Sequence, residues 1–151
     1  MLKVLVVCTA NICRSPVAAA LLTHLLQNRQ IEVTSVGTRA IAGREIDSTM
    51  LSLMNARGFP GISAHRSRGM LPSHVAGADL ILCMEWLHLD QIGREYSASV
   101  GRSMLLGHWD GKKEVVDPYG GPLDEYIVSL DIIQKYCQSW AKKMIAMGLV
   151  A

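Results

Sequence analysis

Apolar and polar positions along the chain alternate between two periodicities. Val4 to Val7 is a continuous apolar run, as expected of a strand covered on both faces. Pro16 then stands where the first turn of a helix would be, and Val17-Ala18-Ala19-Ala20-Leu21-Leu22 continues a helix to about Arg29. Ile31 to Val36 is rich in β-formers and stops at Gly37. Asp47 is placed to cap a helix through Met50, Leu51, Leu53 and Met54 that Gly58 ends. Asp79 to Met84 is a second buried apolar strand. The segment from Glu85 to about Tyr96 has helical spacing in Trp86, Leu89 and Ile92. Ser103 to Leu106 is a short strand, and Pro122 opens a long helix through Ile127, Leu130, Ile133, Tyr136 and Trp140. This order predicts an α/β chain: three layers, α/β/α, around a parallel sheet of about four strands. In such sheets ligands bind beyond the C-terminal ends of the strands, where the first strand delivers Cys8.

Composition narrows the function classes. With 151 residues, half of them hydrophobic and 19% charged, the chain reads as one globular domain, 1–151. A net charge of +2 argues against a nucleic-acid partner or a membrane surface. No apolar run approaches the ~18 residues of a membrane span. The apolar run after Lys3 stops at Cys8, too short for an export signal, and reads as a strand of a cytoplasmic protein. Cys8, Cys13, Cys83 and Cys137 have the spacing of neither a zinc site nor a disulfide scaffold, so they are expected as free thiols. No metal ligand cluster and no cofactor motif is apparent.

The chemistry concentrates in Cys8-Thr9-Ala10-Asn11-Ile12-Cys13-Arg14-Ser15-Pro16. A Cys followed six residues later by Arg is weak by itself. Between a buried strand and a helix start, however, the loop can curl its N–H groups around one point and form an anion nest. The helix N-terminus adds unpaired N–H groups and partial positive charge. Arg14 can fork two donors onto an oxyanion. The same field stabilises a sulfur anion on Cys8, so one loop binds a tetrahedral dianion and arms a nucleophile beneath it. Ser15 can hydrogen-bond that sulfur. The plainer reading makes Cys8 a small buried residue and Arg14 a surface one.

Phosphoryl transfer from an alcohol or phenol also needs a proton donor for the leaving oxygen. Asp117, in Val115-Val116-Asp117-Pro118-Tyr119-Gly120-Gly121, is the candidate, with an ordinary turn aspartate as the alternative. Tyr119 either lines the cleft and stacks on an aromatic substrate or simply packs. Cys13 either packs or pairs with Cys8 under oxidation, which would make the protein redox-sensitive.

Together these residues resemble the low-molecular-weight protein tyrosine phosphatases. The likeness runs through Cys8 to Pro16, then Ser35-Val36-Gly37-Thr38, His65-Arg66-Ser67-Arg68, Ala78 to Met84, and Asp117-Pro118-Tyr119-Gly120. It implies a phosphocysteine on Cys8, phosphate binding by Arg14, and Asp117 as acid and then base. It also implies loop support from Asn11, Ser15, Ser35 and His65. The implied partner is a phosphotyrosine protein, in a bacterial polysaccharide system a tyrosine autokinase. The chain departs from the family at Ala10, where Gly is usual and Ala would be strained at positive φ, and at Ala19, where Glu is frequent. It also lacks an aromatic cleft wall around Ile41 and Ala42. Two relatives compete. A protein arginine phosphatase has a similar loop with Thr in place of Ile12. A thioredoxin-coupled arsenate reductase needs two more cysteines about seven residues apart, but seven past Cys83 is Asp90.

Overall fold

The computed structural model describes residues 1–151. Four parallel strands form the sheet: β1 (Leu2–Cys8), β2 (Ile31–Gly37), β3 (Leu80–Cys83) and β4 (Ser103–Leu105). Their spatial order is β2-β1-β3-β4. β1 lies in the middle, with Cys8 beside Gly37 of β2 and Val7 beside Cys83 of β3. The C-terminal ends of three strands therefore meet at one edge.

Strand alternation divides the core. Val4, Val6 and Cys8 face one side with Leu80 and Leu82, under α1 (Arg14–Leu25), α2 (Ser48–Ala56) and α5 (Leu123–Ala146). Leu5, Val7 and Ile81 face the other, under α3 (Pro72–Gly77) and α4 (Trp86–Glu95). This is the expected α/β/α arrangement. No helix is long and apolar enough to cross a membrane.

Three boundaries differ from the sequence pattern for identifiable reasons. α1 begins at Arg14, two residues before Pro16, because a proline inside the first turn forfeits only an N–H that has no helical partner. It ends at Leu25, since the following Gln27-Asn28-Arg29-Gln30 offers nothing to bury. α3 and the 3-10 turns at 60–64, 97–102 and 108–110 are too short for a periodicity to show. Asp47 does cap α2, its carboxylate accepting the Met50 N–H at 3.1 Å, and Gly58 follows that helix at φ +92°.

Gly37 matters for the site. A Cβ there would collide with the Thr9 carbonyl. Its absence lets the loop lie against the chain after β2, where Thr38 and Arg39 donate N–H groups to the Cys8 and Thr9 carbonyls at 3.0 and 2.9 Å.

Candidate active site

The loop between β1 and α1 closes around the Cys8 sulfur. The Asn11 N–H donates to that sulfur at 3.3 Å, and Ser15 Oγ lies 2.9 Å from it. Asn11 is the organiser. It is fully buried, and it holds the loop's one positive φ, +57°. Asparagine tolerates that conformation better than most residues. Ala10 does not carry the positive φ, so the penalty expected there is not incurred. Asn11 Nδ2 donates to Ser15 Oγ at 2.8 Å and to Ser35 Oγ at 3.0 Å, while its Oδ1 accepts the Arg68 N–H at 2.9 Å. With Ser15 Oγ already accepting from Asn11, its own hydrogen can point at the sulfur, 2.9 Å away, in preference to the Val36 carbonyl at 3.5 Å. His65 Nε2 donates to the Asn11 carbonyl at 2.6 Å, which fixes its tautomer. Every loop-support residue expected from the sequence thus meets at Asn11.

Arg14 is 2% exposed, and a buried guanidinium needs anionic or carbonyl partners. Its Nη1 donates to Glu85 Oε2 and to the Val115 carbonyl, both at 2.7 Å. One edge of the fork is thereby anchored, and Nη2 and Nε are left for an oxyanion. Nη2 lies 3.8 Å from Asp117 Oδ2. Asp117 is about half exposed, and its Oδ1 accepts the Tyr119 N–H at 3.1 Å. The depression above the sulfur, about 110 Å³, is lined by Cys8 to Arg14 with Arg44, Asp117 and Tyr119. The structure therefore gathers Cys8, Arg14, Asp117 and Tyr119 around one mouth. Ile41 is exposed and does not line it.

Glu85, His88 and Arg44 escaped sequence reasoning. Glu85 lies just past β3, the neighbour of β1, so it reaches the same edge as Cys8. A signal was available: a buried arginine demands a carboxylate, and residues just past the neighbouring strand are the candidates. His88 is fully buried. Its Nδ1 accepts the Glu85 N–H at 3.1 Å, and its Nε2 donates to Thr9 Oγ1 at 2.9 Å. Burial, with the Arg14 charge, pushes its pKa down to about 4 and keeps it neutral. His65 is likewise shifted down, by burial and by Arg68 and Arg66.

All four cysteines are free and buried. Burial, together with Asp47 and Asp117, pushes the Cys13 thiol up, which fits packing better than disulfide exchange. Cys83 is fully buried in β3, its thiol also pushed up by burial. No group of three or more His, Cys, Asp or Glu is placed to hold a metal ion.

A family model described as "Low molecular weight phosphotyrosine protein phosphatase" matches residues 3–147. The chain belongs to this family. It is 33% identical over 142 residues to a probable low molecular weight protein-tyrosine-phosphatase, AmsI, of Erwinia amylovora, covering 94% of this chain and 96% of that one. Its fold overlays the tyrosine phosphatase Wzb of Escherichia coli K30, solved with sulphate, at a TM-score of 0.88 and 32% identity, covering 94% and 97% of the two chains. It overlays the YwlE arginine phosphatase of Geobacillus stearothermophilus at 0.92 and 30% identity, covering 99% and 96%. In this chain the loop joins β1 to α1.

Proposed function

We propose that the protein hydrolyses phosphotyrosine in proteins through a phosphocysteine on Cys8. The carrying observation is the single mouth in which the Cys8 sulfur forms the floor, Arg14 is anchored behind it, and Asp117 stands across it. The sulfur attacks phosphorus and the bond to the tyrosyl oxygen breaks, with Asp117 giving that oxygen its proton. Water then attacks phosphorus, Asp117 takes a proton from it, and the P–S bond breaks to release phosphate and the Cys8 sulfur. Loop N–H groups and the free edge of Arg14 hold the equatorial oxygens in both steps. Ser15, whose hydrogen can point at the sulfur, steadies it as a leaving group.

Tyrosine is preferred over arginine for two reasons. Ile12 offers an apolar wall, whereas a guanidinium needs polar partners. Arg44, which lines the mouth and makes no ion pair, disfavours the guanidinium that a phosphoarginine would bring to the rim. Phosphoarginine is the second reading, favoured by the close overlay on an arginine phosphatase. Arsenate reduction is disfavoured, because Cys83 is sealed in the sheet and Asp90 stands where a relay thiol is needed. The physiological partner in this reading is a cytoplasmic phosphotyrosine protein, with a tyrosine autokinase as the family's expectation.

Initial rates on phosphotyrosine, phosphoserine and phosphoarginine peptides, in EDTA, test the proposal. Phosphotyrosine is expected to lead by at least about tenfold at full activity, because Arg14 and the nest supply the positive charge. A lead by phosphoarginine selects the second reading. Loss of activity to EDTA, restored by a divalent metal, would refute the mechanism.

A further inference from the structure

A second cavity of about 500 Å³ lies between α1, β2 and the 60–64 turn, and it shares no lining residue with the catalytic mouth. Its wall contains Ser35, His65 and Arg68. These are the three residues outside the loop that hold Asn11, through Ser35 Oγ, the His65 ring and the Arg68 N–H. Every hydrogen bond by which Asn11 reaches beyond its loop ends on this wall. Whatever occupies the cavity therefore touches the supports of the residue that shapes the anion nest.

The chemistry of the lining selects an occupant. No Asp or Glu lines it, and the Arg68 guanidinium has no ion pair. The His65 Nε2–H is committed to Asn11, which leaves Nδ1 as its one free ring position. The charged groups near His65 are Arg66 and Arg68, and Arg66 is itself paired with Glu45 at 3.6 Å. The apolar part of the surface is chiefly Ala19, Ala20, Val33, Phe59 and Ile62, and the hydroxyl residues Thr23, Thr34 and Ser35 complete the wall along α1 and β2. One unpaired cation, one half-buried imidazole and an apolar floor suit a monoanion with a compact hydrocarbon body. The volume lies within the range of small-molecule sites.

We propose that this cavity is a second ligand site, for a small carboxylate with an apolar body, and that its occupant modulates the phosphate loop through the supports of Asn11. The inference does not depend on which phosphorylated side chain the loop accepts.

Benzoate is the probe, with vanadate, a tetrahedral oxyanion, saturating the catalytic loop. The NMR signal of the His65 ring, assigned by its loss in His65→Gln, is expected to move saturably with benzoate while vanadate is bound. Arg68→Ala is expected to weaken benzoate binding about tenfold or more, consistent with loss of a charge-assisted pair. Ala19→Glu, which places a carboxylate in the cavity, is expected to abolish the response and to move the His65 signal toward its protonated position without benzoate. Arg68 is exposed, so Arg68→Ala tests the site even if Ala19→Glu fails to fold. Saturating benzoate is also expected to change vanadate affinity by roughly fivefold, the scale of an ordinary coupling between sites. The site is refuted by no saturable shift, by a shift that vanadate abolishes, or by one that survives Arg68→Ala. An unchanged vanadate affinity would refute the modulation.

Discussion

Asp117 is the residue whose role depends most on its surroundings. It is half exposed, it accepts the Tyr119 N–H, and it sits 3.8 Å from Arg14 Nη2, on the side of the fork that Glu85 does not occupy. A purely structural aspartate would matter equally for every substrate. A proton donor matters in proportion to the basicity of the oxygen it protonates. Tyrosine leaves as a phenol with a pKa near ~10 and needs help. A nitrophenol leaves more easily and needs less. Asp117→Asn is therefore expected to slow single-turnover cleavage of a phosphotyrosine peptide by ~10²–10⁴-fold, and of a nitrophenyl phosphate by much less. The fall in rate toward high pH is expected to flatten in the variant. Equal slowing of both substrates, with that fall intact, would make Asp117 a turn residue and send the search to Asp110, Glu114 and Asp124.

At the scale of the element, the N-terminus of α4 is built as a brace for the loop. His88, one turn in, accepts the Glu85 N–H on Nδ1 and donates to Thr9 on Nε2, while Glu85 holds Arg14. Protonating His88 would destroy the acceptor at Nδ1, and burial holds its pKa down at about 4. A histidine neutral in the folded chain and ordinary in the unfolded one binds fewer protons when folded. Its contribution is therefore complete above pH ~6.5 and is lost as pH falls toward 4, amounting to about 2 kcal/mol between pH 7 and 5. Urea unfolding at the two pH values is expected to show that loss in wild type and a distinctly smaller one in His88→Asn. Identical slopes would mean that His88 titrates freely in the folded protein. This brace also marks the limit of what the sequence could disclose. The loop from Cys8 to Arg14 was legible because its chemistry is local, a strand end and a helix start six residues apart. The strands and long helices were legible from their periodicity. Glu85 and His88 were read only as the start of a helix, since their partners lie 71 and 79 positions away and meet them only through the placement of β3 beside β1. The strain assigned to Ala10 misplaced the left-handed residue by one position, because spacing does not show which peptide of a nest must turn over; Asn11 does.

At the scale of the molecule, the loop is where otherwise separate parts of the chain are joined. β1 and α1 flank it directly. β2 reaches it through Ser35, the segment after the 60–64 turn through His65 and Arg68, α4 through Glu85 and His88, and the stretch before α5 through Val115 and Asp117. None of this geometry survives in the unfolded chain, so an oxyanion bound in the nest stabilises the folded state alone. At a hundred times its dissociation constant, phosphate should add about 2.7 kcal/mol. For a chain of this length that corresponds to a rise in Tm of roughly 5–10 °C. Cys8→Ser is expected to keep the rise, because a hydroxyl in place of the thiol leaves the N–H groups and Arg14 where they are, yet to lose turnover, because an alcohol is not ionised in this field. Arg14→Lys is expected to lose most of the rise, since an ammonium cannot hold Glu85 and the Val115 carbonyl on one edge while forking onto phosphate with the other. Differential scanning calorimetry at fixed multiples of the wild-type dissociation constant separates the variants. A rise in Arg14→Lys equal to that of wild type would show that the anion is held by backbone alone, and the anchored fork would then have no part in binding it.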